Sequence, residues 1–493
     1  MSGSRTEMVG AGIRFSAALA MYGMVGASVM AIDPILAEDR LISWRPGVEG
    51  GIPAVETRAK VRAVDLRARD AATVIQQAID GLQGTGAVQL PEGRFTLSAP
   101  LRLKSGAVLR GAGPDKTHLV FDLPETTFAG AIQLHGRIRE AGVPVDGTVQ
   151  AASRTIATTG DTRLAAGQTI LLFSVNDPDL MYTRPEWNEA WAGESPGQLL
   201  RVIGASDGVI ETDTEVRLTH EAGLNPRISI IEPIAHAGVE DLSLARLDRS
   251  EDYIIGIQNA VNCWVRNIAS DTCMRGHVWI DASRFVTVSD SIFHHAYDYG
   301  DGGHGYGVVA GKHATDCLVV NNAFRHLRHS MMVKQGANGN VFAYNYSDEN
   351  VGGLCDISIH GHYSYMNLFE GNDVQFIKYA DYWGPTGPLT TSFRNRVVSD
   401  IEVTDHSHRA NVVGNTLVEG AVRVDESCEE VFVVGNRIGG TLTGPDPRMP
   451  ASLFLDRRPP FWGDRPWPGI GADVDDTDSS PALPAERRLR AGD

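Results

Sequence analysis

Cations and histidines gather in one stretch of an otherwise acidic chain. "RHLRHSMMVKQG" holds Arg325, His326, Arg328, His329 and Lys334, and "ISIHGH" adds His360 and His362. Arginine grips a carboxylate or sulfate through a planar fork. Histidine titrates near neutrality and a buried lysine is driven toward it, so both residue types suit proton transfer. "AYDYGDGGHGYGV" brings Asp298, Asp301, His304 and Tyr306 into a glycine-rich loop, where backbone can approach a ligand closely. Its aspartates are candidate Ca²⁺ ligands, although no complete EF-hand pattern is present. "FIKYADYWGPTGP" supplies Lys378, Asp381, Tyr382 and Trp383, a candidate platform for stacking a sugar ring, with Trp187 and Trp191 as partners across a cleft. Each cluster has a plainer rival: a solvated turn, an Asp/Gly turn, or aromatic packing under a loop.

These residues need a scaffold, and the sequence shows a repetitive one. Short β-branched or aromatic runs end in Asn or Asp and then resume: "CWVRNI" at Asn267, "VTVSDSIF" at Asp290, "CLVVNNAF" at Asn322, "NVFAYNYS" at Asn345, "NLFEGNDV" at Asn372, "TSFRNRVV" at Asn395, "NVVGNTLV" at Asn415 and "VFVVGNRI" at Asn436. Strand-length runs at this spacing, with no helical period between them, predict stacked β-coils. Asn tolerates a left-handed turn, and stacked amides can hydrogen-bond along a column. Counting back from each Asn sets Lys334 eleven residues before Asn345, and His360 and His362 twelve and ten before Asn372. Trp383 lies twelve before Asn395, Lys312 ten before Asn322, and Trp279 and Asp281 eleven and nine before Asp290. If the coils align, all of these share one groove. Within "ISIHGH" alternation sends Ile357 and Ile359 inward, and Ser358, His360 and His362 outward.

The N-terminal part reads differently. "DAATVIQQAIDGLQGTG" sets Val74, Ile75, Ala78, Ile79 and Leu82 on one helical face, with Asp70 as N-cap. "AVQLPEGRFTLSAPLRLKSGAVLRGAG" follows as short strands cut by turns. Together with the Asn-ended coils, these motifs resemble the pectate-lyase-type right-handed parallel β-helix superfamily from about residue 61 to 440. The resemblance implies an all-β chain: a single-stranded right-handed parallel β-helix with an N-terminal capping helix. That superfamily includes lyases, hydrolases, epimerases and non-catalytic coils, so the fold alone does not assign a reaction. Of the hydrolase branch's series only "GGHGYG" is similar here; the coil region has no Asp-Asp pair and no Arg-Ile-Lys, and the epimerase Asp-Pro-His-Asp is missing.

Between 146 and 233 the coil pattern gives way to antiparallel-type strands and the long loop "NDPDLMYTRPEWNEAWAGESPG", read as an inserted β-subdomain with an aromatic arm. The expected organisation is a signal peptide over 1–31, the cap and first coils over 32–145, the insertion over 146–233, coils over 234–444 and a closing segment over 445–493. The end of that last segment, "DVDDTDSSPALPAERRLRAGD", reads as loosely packed or disordered. Arg5 and Arg14 precede an apolar stretch ending in small residues near Ala31, which predicts an exported protein, secreted or periplasmic, with no stable membrane insertion after cleavage. A net charge of −17 excludes a general nucleic-acid partner. Five cysteines without CxxC spacing argue against a zinc site, and they allow at most two disulfides or none.

The sequence therefore predicts an exported enzyme acting on a polysaccharide or oligosaccharide, with β-elimination on a uronate glycan as the leading reaction. His360, His329 and Lys334 are the candidate bases, and Tyr306 or Tyr382 would protonate the leaving oxygen. Arg325, Arg328, His304, His362, Trp383, Trp187 and Trp279 are candidate substrate contacts. No cofactor is required, with Ca²⁺ at Asp298 and Asp301 as the metal option. A hydrolase using paired carboxylates from Asp298, Asp301, Asp356 and Asp381, and a non-catalytic carbohydrate-binding coil, are the alternatives. The oligomeric state is not set by the sequence.

Overall fold

The computed structural model describes residues 35–124, 128–160, 162–182, 184–300, 302–444, 449–474 and 483–491. The signal-peptide region, Asp301 and the side chain of Trp187 lie outside the described residues. The coil repeats form parallel ladders in which each strand pairs with its counterpart one turn later, as in Leu318–Val341–Leu368–Thr391–Asn411–Phe432. One face of the stack is a separate ten-stranded sheet running from Leu101–Arg102 to Val422–Val424. Alternation puts Val278, Val308, Met331, Ile357, Ile377 and Ile401 into a continuous apolar interior.

The corner between the other two faces carries the asparagine column. Asn322, Asn345, Asn372, Asn395, Asn415 and Asn436 are fully buried. Asn345 donates to Asn372 Oδ1 from its backbone N–H at 3.0 Å and from its side-chain amide at 3.0 Å, and it also donates to Val319 O one turn back at 3.0 Å. The pattern repeats up to Asn436, so each amide joins three turns. The left-handed backbone belongs to the residue before the column, contrary to the sequence expectation: Asn321, Tyr344, Gly371 and Arg394 have φ of 56°, 56°, 65° and 53°. In the earlier turns Asn267 and Asp290 occupy that left-handed position, and Ile268 and Ser291 stand in the column. The sequence count there is therefore one residue out.

The capping helix forms over Ala71–Gly81, with Asp70 accepting from Thr73 N. A preceding helical turn, Ala63–Ala68, was not foreseen. The insertion is a six-stranded antiparallel sheet with its own apolar core, built around Ile170, Leu172, Leu200 and Ile230. Its outermost strand, Arg137–Pro144, begins before residue 146, because a polar, half-exposed strand carries little apolar signal. All five cysteines are free thiols.

Both termini run along the outside of the stack. The first covers successive turns through Arg40 to Asn411, Trp44 to Met366, Gly47 to Asp316 and Glu49 to Asn262. The second buries Trp462 and Ile470 beside Tyr344 and Phe393. The expected disorder at the end is corrected at 483–491: Pro484–Arg490 is a helix whose Ala485 and Leu489 pack on Ala323. An apolar stripe outweighs the polar composition there. These coverings leave the outer surface of the ten-stranded sheet as the open face.

Replacing Asn372 by Ala strips the acceptor from two donors of Asn345 and the donor from Phe342 O, all inside the protein. The expected cost is about 2–4 kcal/mol, read as a lower midpoint in chemical denaturation. An unchanged midpoint would show that the column does not carry the stack.

Candidate active site

On the open face, Gly276–Asp281, Tyr306–Ala310, His329–Val333, Ile357–Ile359 and Ile377–Tyr379 lie side by side. Their mid-strand outward positions include Trp279, Val309 and Met332, which cluster with Tyr306. The ladder skips Gly307 and Ser330, and Ser330 turns inward to bond Ser347 Oγ at 2.8 Å. Tyr306 and His329 before the skip can therefore face outward with Trp279, their rings 5.3 Å apart. Just past the strand ends, Asp281, Gly311, Lys334 and His360 occupy four successive turns. Gly311 has a steric role: a Cβ there would sit 2.0 Å from Asp281 Oδ1 and 3.0 Å from Trp279 Nε1. Its absence lets the Asp281 carboxylate lie over the strand, where it accepts from Trp279 Nε1 at 3.1 Å.

Lys334 is the centre of this arrangement. Its Nζ lies 5.1 Å from the Trp191 ring and 5.2 Å from the Trp279 ring. No carboxylate of the described residues lies within ion-pair distance of it. Burial pushes its pKa down to about 8, against the opposing pull of Asp281. Burial likewise raises Asp281 to about 6, with the Lys334 charge working the other way.

The two histidines have different hydrogen-bond surroundings. His329 donates from Nδ1 to Cys355 O at 2.7 Å, and burial lowers its pKa to about 4. It is thus neutral at pH 7, with its lone pair on Nε2. His360 has acceptors at both nitrogens: Gly361 O at 2.8 Å from Nδ1 and Asp381 Oδ2 at 3.0 Å from Nε2. Burial opposes ionisation of Asp381, but the charge and hydrogen bond of His360 outweigh it and hold the carboxyl at about 2. The expectation that His360 is a proton acceptor is corrected, since both ring nitrogens are turned to protein oxygens and neither faces a substrate.

The aromatic arm forms the wall. Lys312 Nζ donates to Gly193 O at 2.8 Å, Gln335 to Trp191 O at 2.7 Å, and His313 Nε2 bonds Glu194 O at 2.7 Å. Asn338 and Tyr365 both donate to Gly197 O. So fixed, Trp191 meets Trp383 at 5.4 Å and His362 at 4.9 Å, both edge-on. Trp191 is still 42% exposed and Tyr382 56%, leaving an aromatic rim on the cleft. His362 is fully buried, which makes it a support for that rim and corrects its assignment as a substrate contact.

Other candidates are placed elsewhere. Arg325 lies on a different sheet, bound to Asp348 at 3.1 Å and Glu349 at 3.7 Å, so it does not line the groove. Arg328 donates to Gly300 O and stays close enough to Tyr306 and His329 to act on both electrostatically. His304 is held between Glu251 and Asp298, each at 2.8 Å. Asp298 also accepts from Gly300 N at 2.9 Å, so its carboxylate serves the loop. Asp356 is buried under the sheet, accepting from Ser347, Gln375 and Phe376, which removes it from any catalytic pair. Tyr306 is pushed up to about 12 by burial and keeps its proton. Arg275, 6.0 Å from the Trp279 ring, was missed because nothing in its local sequence marks it.

The lowered Lys334 pKa has a direct readout. In competitive amine labelling followed by mass spectrometry, Lys334 should reach half-maximal reactivity near pH 8, well below an ordinary lysine near 10.4. A Lys334 profile indistinguishable from that of exposed Lys116 would contradict this description of the groove.

No family model matches the sequence, and no curated protein matches it. The fold does have relatives among solved structures. The tailspike gp61 of Pseudomonas phage phi297 superposes with a TM-score of 0.56 at 10% identity, over 75% of this chain and 68% of that one. The tailspike gp49 of Pseudomonas phage LKA1 gives 0.53 at 12% identity, over 74% and 70%. At such identities the likeness establishes architecture only: this chain is a right-handed parallel β-helix carrying an inserted antiparallel sheet.

Proposed function

We propose that the protein is an exported polysaccharide lyase that cleaves a uronate-containing glycan by β-elimination. The observation that carries this reading is Lys334: an amine whose pKa is lowered to about 8, without an ion-pair partner among the described residues, between two indole rings on the open face. Sugar rings stack on indoles, and Trp191, Trp383 and Tyr382 supply them. A uronate carboxylate would be met by the guanidinium groups of Arg275 and Arg328, which lowers the barrier to removing the adjacent proton. The neutral fraction of Lys334 takes that proton as the C–H bond breaks. The carbon–carbon double bond forms as the glycosidic C–O bond breaks, and Tyr306 donates its proton to the leaving oxygen. The products are an unsaturated uronate and a free hydroxyl. The basic N-terminal signature supports export. Among the described residues no helix is long and apolar enough to cross a membrane.

One observation favours hydrolysis instead. Asp281 is raised to about 6 and Asp381 lowered to about 2, the divergence that an acid and its partner carboxylate require. Against it, both Asp381 oxygens are engaged, one by His360 and one by Trp383 N at 2.9 Å.

Acidic polysaccharides digested with the enzyme should yield ultraviolet absorbance together with reducing ends. A base of pKa about 8 must be deprotonated, so kcat/KM should rise with pH and level off above about 8. Lys334→Arg keeps the charge and abolishes the base, and should lower the rate by ~10²-fold or more at every pH tested. Reducing ends without absorbance, from a rate that falls above pH 6, would replace elimination with hydrolysis through Asp281.

A further inference from the structure

A second set of ligating side chains lies on another face of the helix. Asp271, His294 and His295 each offer one atom, and these atoms lie within 4.8 Å of one another. His294 Nδ1 is 3.0 Å from His295 Nδ1 and 3.4 Å from Asp271 Oδ1. Ligands about 2.0–2.1 Å from a tetrahedral centre stand ~3.3 Å apart, so both separations match that edge.

The backbone explains how neighbouring residues share one side. Successive side chains on a strand point to opposite faces. His295 has φ of 61°, a conformation that costs a non-glycine residue energy, and this bend lets its ring meet that of His294 edge-on at 5.3 Å. Asp271 is the parallel partner of His294 one turn earlier, which adds the carboxylate. Thr272 Oγ1 donates to Asp271 Oδ1 at 2.6 Å and orients it. Asp271 is exposed, and the set is open to solvent on one side. Two unprotonated Nδ1 atoms at 3.0 Å would repel unless a proton or a cation lies between them.

We propose that Asp271, His294 and His295 form a binding site for a first-row divalent transition metal, of which Zn²⁺ is the simplest probe. Two imidazoles and one carboxylate select such an ion over Ca²⁺ or Mg²⁺, which prefer all-oxygen shells. Solvent fills the remaining coordination position. The ion ties the turn containing Asp271 to the turn containing His294 and His295. His326, whose ring lies tilted against His295 at 4.9 Å, belongs to the next turn and has Nδ1 3.7 Å from a Glu349 carboxylate oxygen, so it lies outside the proposed ligand set.

The test uses the full, untagged protein, stripped with chelator and titrated with Co²⁺ by visible absorption and with Zn²⁺ by calorimetry. One equivalent should bind, with the ligand-field bands of a low-coordinate Co²⁺ site, while Ca²⁺ and Mg²⁺ give no heat. His294→Gln and His295→Asn should each weaken Zn²⁺ binding by 100-fold or more; Asn is chosen because it accepts the left-handed backbone. Far-ultraviolet circular dichroism of both variants should match the parent, and His326→Gln should bind within a few-fold of it. Zn²⁺ affinity unchanged in the His294→Gln/His295→Asn double variant would overturn the assignment, as would failure of the parent to bind Zn²⁺ at 1 mM.

Discussion

Everything on the open face depends on a column of buried amides. A parallel β-helix has no covalent device that keeps one turn in step with the next, and a slip of one residue would exchange the inner and outer sets of side chains. The asparagine column prevents that slip, because each amide bonds a fixed position on the turns before and after it. Register fixed at one corner is register fixed on all faces. Asp281, Lys334 and His360 therefore stand in line even though the intervening turns differ in length. The excess residues leave as loops, and the loops build the walls.

The groove then works by unequal environments. Burial, above all, drives Lys334 and His329 toward neutrality and Asp281 toward its protonated form. Asp381 escapes the same pressure through its contact with His360. Adjacent titratable groups are thus held in different states by burial and partnering, which is what proton-transfer chemistry needs. The arm is essential to this effect, since Trp191 supplies one of the low-dielectric walls around the amine. Side chains of the helix hold it by its carbonyl oxygens, and its own Asn176 and Arg184 side chains add to that hold.

The fold was largely legible because periodicity is local information. The capping helix, the coils, the inward Ile357 and Ile359 and the outward His360 follow from alternation and turn chemistry alone. Lys334 and Trp279 were legible as groove residues through the repeat count. Less legible was whatever depends on partners distant in the chain. The tautomer of His329 is set by Cys355 O and the ring of His360 is held by Asp381, and neither contact has a sequence signature. Arg325 looked like part of a cation cluster because it is close in sequence to Lys334, yet the corner between sheets separates them. The Asn267 and Asp290 miscount has a similar origin: a left-handed corner and a ladder position both favour short polar side chains, and only hydrogen bonds tell them apart.

The N-terminal covering has a consequence for the order of assembly. Leu36, Arg40 and Trp44, early in the chain, rest on turns containing Met366, Phe393, Asn411 and Glu430, which are synthesised much later. The leading segment has no surface to dock on until most of the helix exists. Coils can add one at a time, as in other linear repeats, but closure waits for the whole stack and then clamps its late turns to its early ones. Fraying from the far end must first detach a segment that belongs to the near end, which converts a one-dimensional array into a cooperative unit.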